Sequence, residues 1–249
     1  MITRAQPWLG TFVEISAGSD TAISAAFATI ARVHAALNAH APESELSHAN
    51  RRAHLAPVGL SRLAATVIGR AQFWAALSRG SFDASAGHWR SVQLRGRQLR
   101  FDVQLTLDLS GIAKGFAVDR AVATLRHAGA TSGLVNAGGD MRGFGAAWPV
   151  TLVRPDRTAL AQLALRDAAL ATSALRPDGS AAHLRGRRCD IFAASVETRR
   201  AVDADALAKI VLSGGPHVDA CLAAVGAVAL VQDSAGGLTQ LGAAVRAAV

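Results

Sequence analysis

The residue types most suited to chemistry occur together in the segment 108–119, DLSGIAKGFAVD. This segment sets a carboxylate, a glycine turn and a lysine at a predicted junction between a strand and a helix. Backbone amides at the Gly111 turn and at the helix start could hold phosphate oxygens, and the Lys114 ammonium could neutralise their charge. Asp108 would then face a ribose hydroxyl, a ring nitrogen or a metal-bound water. The simpler alternative is that Asp108 caps the helix and Gly115 allows close packing.

Lysine is rare in this chain, and its two occurrences lie in motifs that could bind a ligand. The 26 Lys and Arg residues include only Lys114 and Lys209 as lysines. An ammonium is a compact, mobile point charge, whereas the arginine guanidinium is a rigid planar fork. In DADALAK, Asp205 and Lys209 are four residues apart and share one face of a predicted helix. The alternative for this pair is an ordinary surface ion pair.

A second glycine-rich motif, NAGGD, follows a predicted strand. Its paired glycines, Gly138 and Gly139, permit positive φ angles and a close approach of the backbone to a ligand. Asn136 and Asp140 flank them with polar side chains. Because two such turns at strand ends could form one pocket, this motif supports the phosphate-binding interpretation of the first segment.

Length and composition favour a globular protein with a large core. The chain has 249 residues, of which 51% are hydrophobic and 18% charged, enough for one large domain or two closely packed lobes. No run of about 18 apolar residues is present, so no membrane span is expected. The N-terminal residues show no apolar signal core and no lipidation cysteine, which predicts a cytoplasmic protein, or a periplasmic one if an N-terminal segment was removed.

Charge and cysteine content argue against several further classes of protein. The formal net charge is +8, but the arginines are scattered and the chain has no Tyr and 8 Phe, so no nucleic-acid-binding platform is predicted. The charge suits an anionic ligand instead. Cys189 and Cys221 lack the spacing of a metal site or a disulfide framework, so free thiols are predicted.

Apolar periodicity predicts alternating helices and strands, and therefore an α/β or α+β layered fold. Helices are predicted at residues 21–37, 61–77, 113–127, 201–212 and 216–223, with Asp20 as the cap of the first. Strands are predicted at residues 8–15, 105–109, 133–137, 149–153, 163–171, 190–196 and 226–231, and a hairpin at 93–102. The polar run 42–50 is predicted to form local turns.

The motifs follow one another in an informative order along nearly the whole chain. They are LGTFVEI, SELSHAN, FDAS, DLSGIAKGFAVD, NAGGD, ATSA and ADALAK. In this order they resemble the ApbE family, flavin transferases that attach FMN to target proteins. The resemblance implies the α/β arrangement called the T-fold, in a single ApbE-like domain over residues 1–249.

The resemblance also implies a reaction. FAD is bound, Mg²⁺ lies on its pyrophosphate, and a Thr or Ser hydroxyl of a target flavoprotein attacks the FMN phosphorus and releases AMP. This is a phosphoryl transfer, in which catalysis consists mainly of positioning and of neutralising charge on the phosphate oxygens.

Individual positions of this chain receive roles from the same resemblance. Asp108 and Lys114 match positions that contact FAD. Asp205 matches the carboxylate that binds the metal, and the carbonyl of Gly111 approaches the same ion. The implied catalytic residues are Asp205, Lys209 and His183. The implied FAD-binding residues are Leu9, His40, Asp108, Lys114, Asn136, Gly138, Gly139 and Asp140.

Three departures from the family pattern bear on activity. The Asp-Pro-x-Thr-Gly turn that usually follows the histidine at His183 is replaced by LRGRRCD, and the segment after FDAS is shortened to AGHWRSVQ. Lys209 occupies the position of a metal-binding threonine. A protonated lysine has no lone pair for Mg²⁺, and its charge repels the ion. We hypothesise that the Lys209 ammonium stands partly or wholly where Mg²⁺ would be, pairs with Asp205 and contacts the FAD pyrophosphate.

Such a site would lack the Lewis-acid contribution of the metal, which is worth several kcal/mol in the transition state, so turnover would be slow or absent. Two other functions therefore stay open. One is a non-catalytic FAD-binding protein with a carrier or regulatory role. The other is an FAD pyrophosphatase, in which water replaces the hydroxyl of the target protein.

Overall fold

The computed structural model describes residues 1–153, 158–175, 191–233 and 237–242. The α-helices are α1 (Asp20–Leu37), α2 (Glu45–Arg52), α3 (Arg62–Leu77), α4 (Ala113–His127), α5 (Ala201–Ser213) and α6 (Val218–Ala223), and Trp89–Ser91 forms a 3₁₀ turn. The strands are β1 (Ile2–Trp8), β2 (Thr11–Ala17), β3 (Val58–Gly59), β4 (Val92–Arg95), β5 (Gln98–Phe101), β6 (Gly133–Ala137), β7 (Asp140–Phe144), β8 (Ala147–Val153), β9 (Ala159–Arg166), β10 (Ala169–Ala174), β11 (Ile191–Thr198), β12 (Val228–Asp233) and β13 (Leu238–Gly242).

An eight-stranded sheet of antiparallel neighbours organises the molecule, in the order β1-β2-β6-β7-β10-β11-β12-β13. Two helices cover one of its faces: α4 packs against β6 and β7, and α5 packs against β10 and β11. α1 packs beside α4 and also contacts β1 and β2. This arrangement confirms the predicted α/β layered fold.

Two smaller sheets complete the β structure. The β8–β9 hairpin packs on the main sheet through an apolar cluster that contains Leu152, Leu165 and Leu170. A separate three-stranded sheet has the order β3-β5-β4, and its strand β4 contacts α3. The hairpin predicted at residues 93–102 is confirmed as the β4–β5 pair.

α5 is the most deeply buried helix of the described chain. Every residue from Ala201 to Ser213 is buried, including Asp203, Asp205 and Lys209. The helix predicted at residues 201–212 is therefore confirmed, but its charged residues do not form the exposed face that an ordinary surface helix would have. Charged groups inside such a helix need partners, which they find on α3, α4 and within α5 itself.

The helix predicted at residues 21–37 is confirmed with a different cap. The side chain of Ser19 accepts a hydrogen bond from the backbone N–H of Ala22 (3.3 Å), so Ser19 is the cap and Asp20 is the first helical residue. Ile23, Phe27 and Ile30 recur at helical spacing and are buried. They fix the inner face of α1.

The strand predicted at residues 8–15 is confirmed over residues 11–15, which lie in β2, but its start is wrong, because the chain reverses direction at Leu9 and Gly10. These residues have φ angles of 57° and 73°, which are left-handed conformations suited to a tight two-residue hairpin turn. Trp8 pairs with Thr11 across the turn. A leucine rarely adopts a positive φ, so the sequence gives little sign of this reversal.

The turns predicted at residues 42–50 are also wrong, because α2 occupies most of this run. The side chain of Ser44 accepts a hydrogen bond from the N–H of Ser47 (3.0 Å) and so begins the helix. The strand predicted at 105–109 is not formed either; among the described residues, this segment belongs to no strand pair. The strand predicted at 163–171 is two strands, β9 and β10, and Asp167 between them has a φ of 48°.

The remaining predicted elements are confirmed. α3, α4 and α6 correspond to the helices predicted at 61–77, 113–127 and 216–223, and the strands predicted at 133–137, 149–153, 190–196 and 226–231 are β6, β8, β11 and β12. Cys221 is a buried free thiol in α6, as predicted, whereas Cys189 lies outside the described residues. Within the described residues, no helix is both long enough and apolar enough to cross a membrane.

Candidate functional site

The two helices that carry the lysines, α4 and α5, pack tightly at Gly115 of α4. Its backbone N–H donates a hydrogen bond to Oδ2 of Asp205 on α5 (2.9 Å). A Cβ atom at residue 115 would lie 2.1 Å from the carbonyl oxygen of Ala201 and 2.8 Å from Cβ of Asp205. Glycine is therefore required here for close helix packing, and that packing brings the Asp205 carboxylate against α4.

Four charged side chains meet at this contact, and we call them the lysine–aspartate quartet: Lys114, Asp140, Asp205 and Lys209. Lys209 Nζ lies 2.5 Å from Oδ1 of Asp205 and donates to the Asp205 backbone carbonyl at 2.9 Å. Lys114 Nζ is hydrogen-bonded to Oδ2 of Asp140 and lies 3.9 Å from Oδ1 of Asp205. The quartet thus joins three motifs that are far apart in sequence.

Burial distinguishes the two ammonium groups. The side chain of Lys114 is 29% exposed, whereas that of Lys209 is 10% exposed and that of Asp205 is fully buried. The Lys209–Asp205 pairing expected from their spacing is therefore present, but as an interior pair and not as an ordinary surface ion pair. Of the two lysines, Lys114 is the one better placed to meet a ligand from solvent.

The quartet also shifts the protonation of its members. Burial disfavours the charged form of Lys114, but the nearby carboxylates of Asp205 and Asp140 outweigh it and raise the pKa of Lys114. Burial and the negative charge of Asp205 raise the pKa of Asp140, against the opposing effect of the ammonium groups. Lys114 is consequently a full positive charge at neutral pH.

The N-terminus of α5 is capped by a residue of α4. Asp119 accepts hydrogen bonds from the backbone N–H groups of Ala201 and Val202 (both 3.0 Å) and pairs with Arg142 on β7 (2.6 Å). Helix starts leave unpaired N–H groups, and an acidic side chain satisfies them. Asp119 thereby fixes the position of α5, and with it Asp205, relative to α4.

A second buried carboxylate of α5 has a structural role. Asp203 Oδ1 accepts hydrogen bonds from Arg70 Nε (2.5 Å) and from Trp74 Nε1 (3.1 Å), both on α3. The Arg70 guanidinium also stacks on Phe73, 4.2 Å from the ring centroid. These contacts tie the first turn of α5 to α3 and direct Asp203 away from the quartet.

The NAGGD motif forms the tight turn between β6 and β7. Asn136 Oδ1 accepts a hydrogen bond from the N–H of Gly139 (2.9 Å), and Gly138 and Gly139 have φ angles of 63° and 99°. A Cβ atom at Gly138 would lie 2.5 Å from Oγ1 of Thr11. The predicted positive φ angles are confirmed, and the turn lies directly against the β1–β2 hairpin whose turn includes Leu9.

The segment that carries Asp108 is held by side chains and backbone groups of two other motifs. The amide of Asn50, in SELSHAN, accepts from the N–H of Leu107 (2.9 Å) and donates to its carbonyl (3.0 Å). The Asp108 N–H donates to the carbonyl of Ala84, in FDAS (2.8 Å). These bonds hold residues 107 and 108 in place although no strand ladder between described residues includes them.

Sequence reasoning missed the supporting residues of this segment. Asp83 accepts hydrogen bonds from the N–H groups of Ser85 (2.7 Å) and Gly87 (2.6 Å), which shapes the FDAS loop. Asp108 accepts a hydrogen bond from the N–H of Ser110 (2.9 Å), two residues before Ile112, the residue that precedes α4. Asn50 and Asp83 belong to the motifs SELSHAN and FDAS, but the spacing of residues in the sequence does not show which backbone groups they bind.

Only some of the predicted site residues lie close together in the structure. Lys114 contacts both Asp140 and Asp205, and Asp205 also contacts Lys209. Gly111 is buried in the turn before α4. His40 is exposed after α1 and its N–H donates to Asn38 (3.0 Å); no hydrogen bond or ion pair between described residues joins it to the quartet. His183 lies outside the described residues.

Two clefts lie near the NAGGD turn, one lined in part by Gly139 and the other in part by Thr11, which packs against Gly138. One, of about 180 Å³, lies between the β8–β9 hairpin and the main sheet. Its lining includes Gly139, Met141, Thr172, Ser195, Leu230 and Gln232. The other, of about 490 Å³, surrounds the β1–β2 turn. Its lining includes Trp8, Leu9, Thr11, Phe12 and His34.

The donor set of the quartet does not fit a divalent metal ion. Oδ1 of Asp205 contacts the Lys209 ammonium, Oδ2 accepts from the N–H of Gly115, and Oδ2 of Asp140 contacts Lys114. In the part of the chain that the structure describes, no group of three or more His, Cys, Asp or Glu side chains could hold a metal ion. The carboxylates that would attract Mg²⁺ are already neutralised by ammonium groups.

The layered fold is the fold of solved flavin transferases. It is similar to "Flavin Transferase ApbE from Vibrio cholerae", with a TM-score of 0.84 and 20% identity, over 98% of this chain and 97% of that chain. The apbe protein from Thermotoga maritima gives a TM-score of 0.85 and 21% identity over 96% of each chain. The apo flavinyl transferase ApbE from Pseudomonas stutzeri gives 0.78 and 16% identity over 97% of this chain and 94% of that chain.

The sequence gives the same assignment independently of the fold. The model of the ApbE family matches residues 9–91 and 86–178, which together span more than half of the chain. The chain belongs to the ApbE family, and the predicted membership is confirmed. No curated protein matches the chain.

Proposed function

We propose that the protein transfers FMN from FAD to a Thr or Ser hydroxyl of a target flavoprotein and releases AMP. The observation that carries the proposal is the quartet, in which the family motifs around Lys114, Asp140 and Asp205 meet at one partly exposed ammonium. Membership of the ApbE family supports a flavin nucleotide as the ligand, and the positive charge of Lys114 suits the pyrophosphate of that ligand.

The proposed reaction is a displacement at phosphorus. The hydroxyl oxygen of the target forms a bond to the FMN phosphorus, and the bond from that phosphorus to the bridging oxygen breaks. AMP leaves with the bridging oxygen, and the hydroxyl proton passes to solvent. A reaction of this kind mainly needs alignment and compensation of charge on the phosphate oxygens.

Each proposed site residue contributes either to the alignment of FAD or to the compensation of charge on its phosphates. Lys114 supplies a positive charge to the phosphates, and the turn at Gly138 and Gly139 allows the backbone to approach them. Asn136 holds this turn in shape, and Asp108 binds a polar group of FAD. Further proposed FAD contacts come from Leu9, His40 and Gly111, with His183 as a proposed catalytic residue.

Open space in two clefts near the NAGGD turn supports a dinucleotide as the ligand. The cleft around Leu9 offers aromatic side chains, and the cleft beneath the β8–β9 hairpin offers aliphatic side chains with polar groups such as Thr172 and Ser195. A ligand with two ring systems joined by phosphates would place its charged centre near the turn and a ring system on either side.

A non-catalytic FAD-binding protein is the second candidate. The specific observation that favours it is the Lys209–Asp205 pair, which neutralises the carboxylate that the family resemblance assigns to the metal. Without a Lewis acid, the chemical step would lose several kcal/mol of transition-state stabilisation. FAD binding itself would not require that contribution.

Mass spectrometry distinguishes these functions. The purified protein is incubated with FAD and a flavoprotein that bears a Ser/Thr-Gly-Ala-Thr type target, with and without MgCl₂. An added FMN mass on the target supports the transferase. Free FMN and AMP with an unmodified target indicate a pyrophosphatase, and bound but intact FAD indicates a carrier or regulatory protein.

A matched pair of variants ties the result to the site. Lys114→Met should lower FMN transfer by about a hundredfold, because one charge-stabilising group is lost. Arg120→Met removes the same charge from the exposed face of the same helix and should leave transfer unchanged. Equal effects of the two variants would show that the Lys114 site is not where FAD reacts.

A further inference from the structure

We infer that Lys209 is a built-in cation of this site, so that the protein binds the pyrophosphate of FAD without a divalent metal ion. The inference rests on the proposed function, because it takes FAD as the ligand. It concerns binding alone and is independent of how fast the bound FAD reacts.

The first support is the way in which Asp205 is held. Both of its carboxylate oxygens are engaged, Oδ1 by Lys209 (2.5 Å) and Oδ2 by the N–H of Gly115 (2.9 Å). Because a neighbouring helix fixes Oδ2, the carboxylate cannot turn toward another cation without leaving a buried N–H unpaired. The Lys209 ammonium therefore occupies the position from which Asp205 would bind a metal.

The second support is the charge balance of the quartet. Two carboxylates, Asp140 and Asp205, face two ammonium groups, Lys114 and Lys209, so the ionised quartet has no net charge. Without Lys209 the same group would carry one negative charge, which would repel phosphate and attract a cation. With Lys209 in place, an added divalent ion would lie beside two like charges in a largely buried environment, which is unfavourable.

The third support is the distribution of lysine in the chain. Among 26 basic residues only two are lysines, and both lie within 3.9 Å of the same oxygen, Oδ1 of Asp205. The ion pairs of Asp20, Asp119, Asp167 and Asp203 all use arginine. A compact ammonium resembles a metal ion more closely than a planar guanidinium does. The chain thus uses its point-like cations only at this site.

The ammonium of Lys209 also keeps a donor for the ligand. It has three N–H groups, and its hydrogen bonds to Asp205 go to Oδ1 and to the backbone carbonyl (2.9 Å). One N–H therefore remains beyond these two bonds. Together with the more exposed Lys114 ammonium, it can face the two negative charges of a pyrophosphate.

Isothermal titration of the full-length protein with FAD tests the inference. One series contains excess EDTA and the other contains MgCl₂ in excess over FAD. The expected Kd values differ by less than about threefold. A Kd that is about tenfold or more weaker in EDTA would overturn the inference and leave the proposed function standing. Absence of FAD binding in both series would overturn both.

Substitution of Lys209 provides a positive signal. Lys209→Met should weaken FAD binding in EDTA by about tenfold or more, and Mg²⁺ should restore part of that loss, because the quartet then carries a negative charge. Arg95→Met on the exposed β4–β5 hairpin removes an equal charge and should behave as wild type. A Lys209→Met protein that binds FAD normally in EDTA would overturn the inference. Should this variant fail to fold, the wild-type comparison decides.

Discussion

The backbone N–H of Gly115 donates to Oδ2 of Asp205 across the contact between α4 and α5. One hydrogen bond thus joins a helix–helix packing site to the lysine–aspartate quartet. The distance from the Gly115 position to the Ala201 carbonyl leaves no room for a side chain. Helix packing and the geometry of the candidate site therefore depend on the same residue.

Gly115→Ala should damage stability and FAD binding together. The added methyl group would meet the Ala201 carbonyl at 2.1 Å, so the helices must move apart, at a cost of about 1–3 kcal/mol. Urea denaturation and FAD titration measure the two effects. Gly18→Ala is the control, since a Cβ there meets no atom within 4 Å. A Gly115→Ala protein with wild-type stability would contradict the described packing.

Asp119→Ala should destabilise the protein by about 2 kcal/mol or more, because α5 loses its cap and the partly buried Arg142 loses its partner. Chemical denaturation provides the measurement. Asp20→Ala removes the exposed ion pair with Arg4 and should cost about 0.5 kcal/mol or less. Similar losses in the two variants would argue against Asp119 as the cap.

Asn50→Ala should loosen the segment that precedes α4. Both hydrogen bonds between the Asn50 amide and the backbone of Leu107 would be lost, at a cost of about 1–3 kcal/mol. Hydrogen exchange measured by mass spectrometry should show faster exchange around Leu107. FAD binding should weaken if Asp108 is a ligand contact. Unchanged exchange in this segment would mean that Asn50 does not hold it.

Cys221 should be unreactive in the folded protein near neutral pH. Burial raises the pKa of its thiol from 9.0 to about 11, so the nucleophilic thiolate is scarce. In a Cys189→Ser background, iodoacetamide should modify Cys221 only after unfolding. Rapid modification of the native protein at neutral pH would contradict its buried position.

The same thiol should make stability depend on alkaline pH. Its pKa is higher in the folded protein than in the unfolded chain, so its contribution is complete below about pH 9 and is lost as the pH rises toward 11. Denaturant midpoints across this range give the measurement. Cys221→Ala should remove this component of the pH dependence, and an unchanged profile in that variant would assign it to other groups.

Helices and strands whose boundaries are set by their own residues were predictable from the sequence. For α4, the spacing of apolar residues and Gly129 after the helix predicted the bounds that the structure shows, Ala113–His127. The start of the strand predicted at residues 8–15 was wrong because Leu9 takes a turn conformation that usually selects glycine or asparagine. α2 was missed because its stability depends on the Ser44 cap and on tertiary contacts more than on a long apolar stripe.

The site was predictable where sequence spacing determines contact. The Lys209–Asp205 pair follows from four-residue spacing on one helix, and Lys114 and Asp140 both belong to motifs interpreted as parts of one pocket. The residues that hold α5 and the segment before α4 in place were not predictable in this way. Asp119 binds backbone groups 82 and 83 residues away, and Asn50 binds one 57 residues away, and such partners have no side-chain signature.

The complete burial of α5 has a consequence for motion. A helix enclosed on all sides opens only when the whole fold opens, so its amide groups should be among the slowest to exchange with solvent. Asp205 and Lys209, which lie on this helix, should share its slow opening and keep their pairing on the timescale of local fluctuations. The hairpin turn at Leu9 lies outside this enclosed helix and should exchange faster.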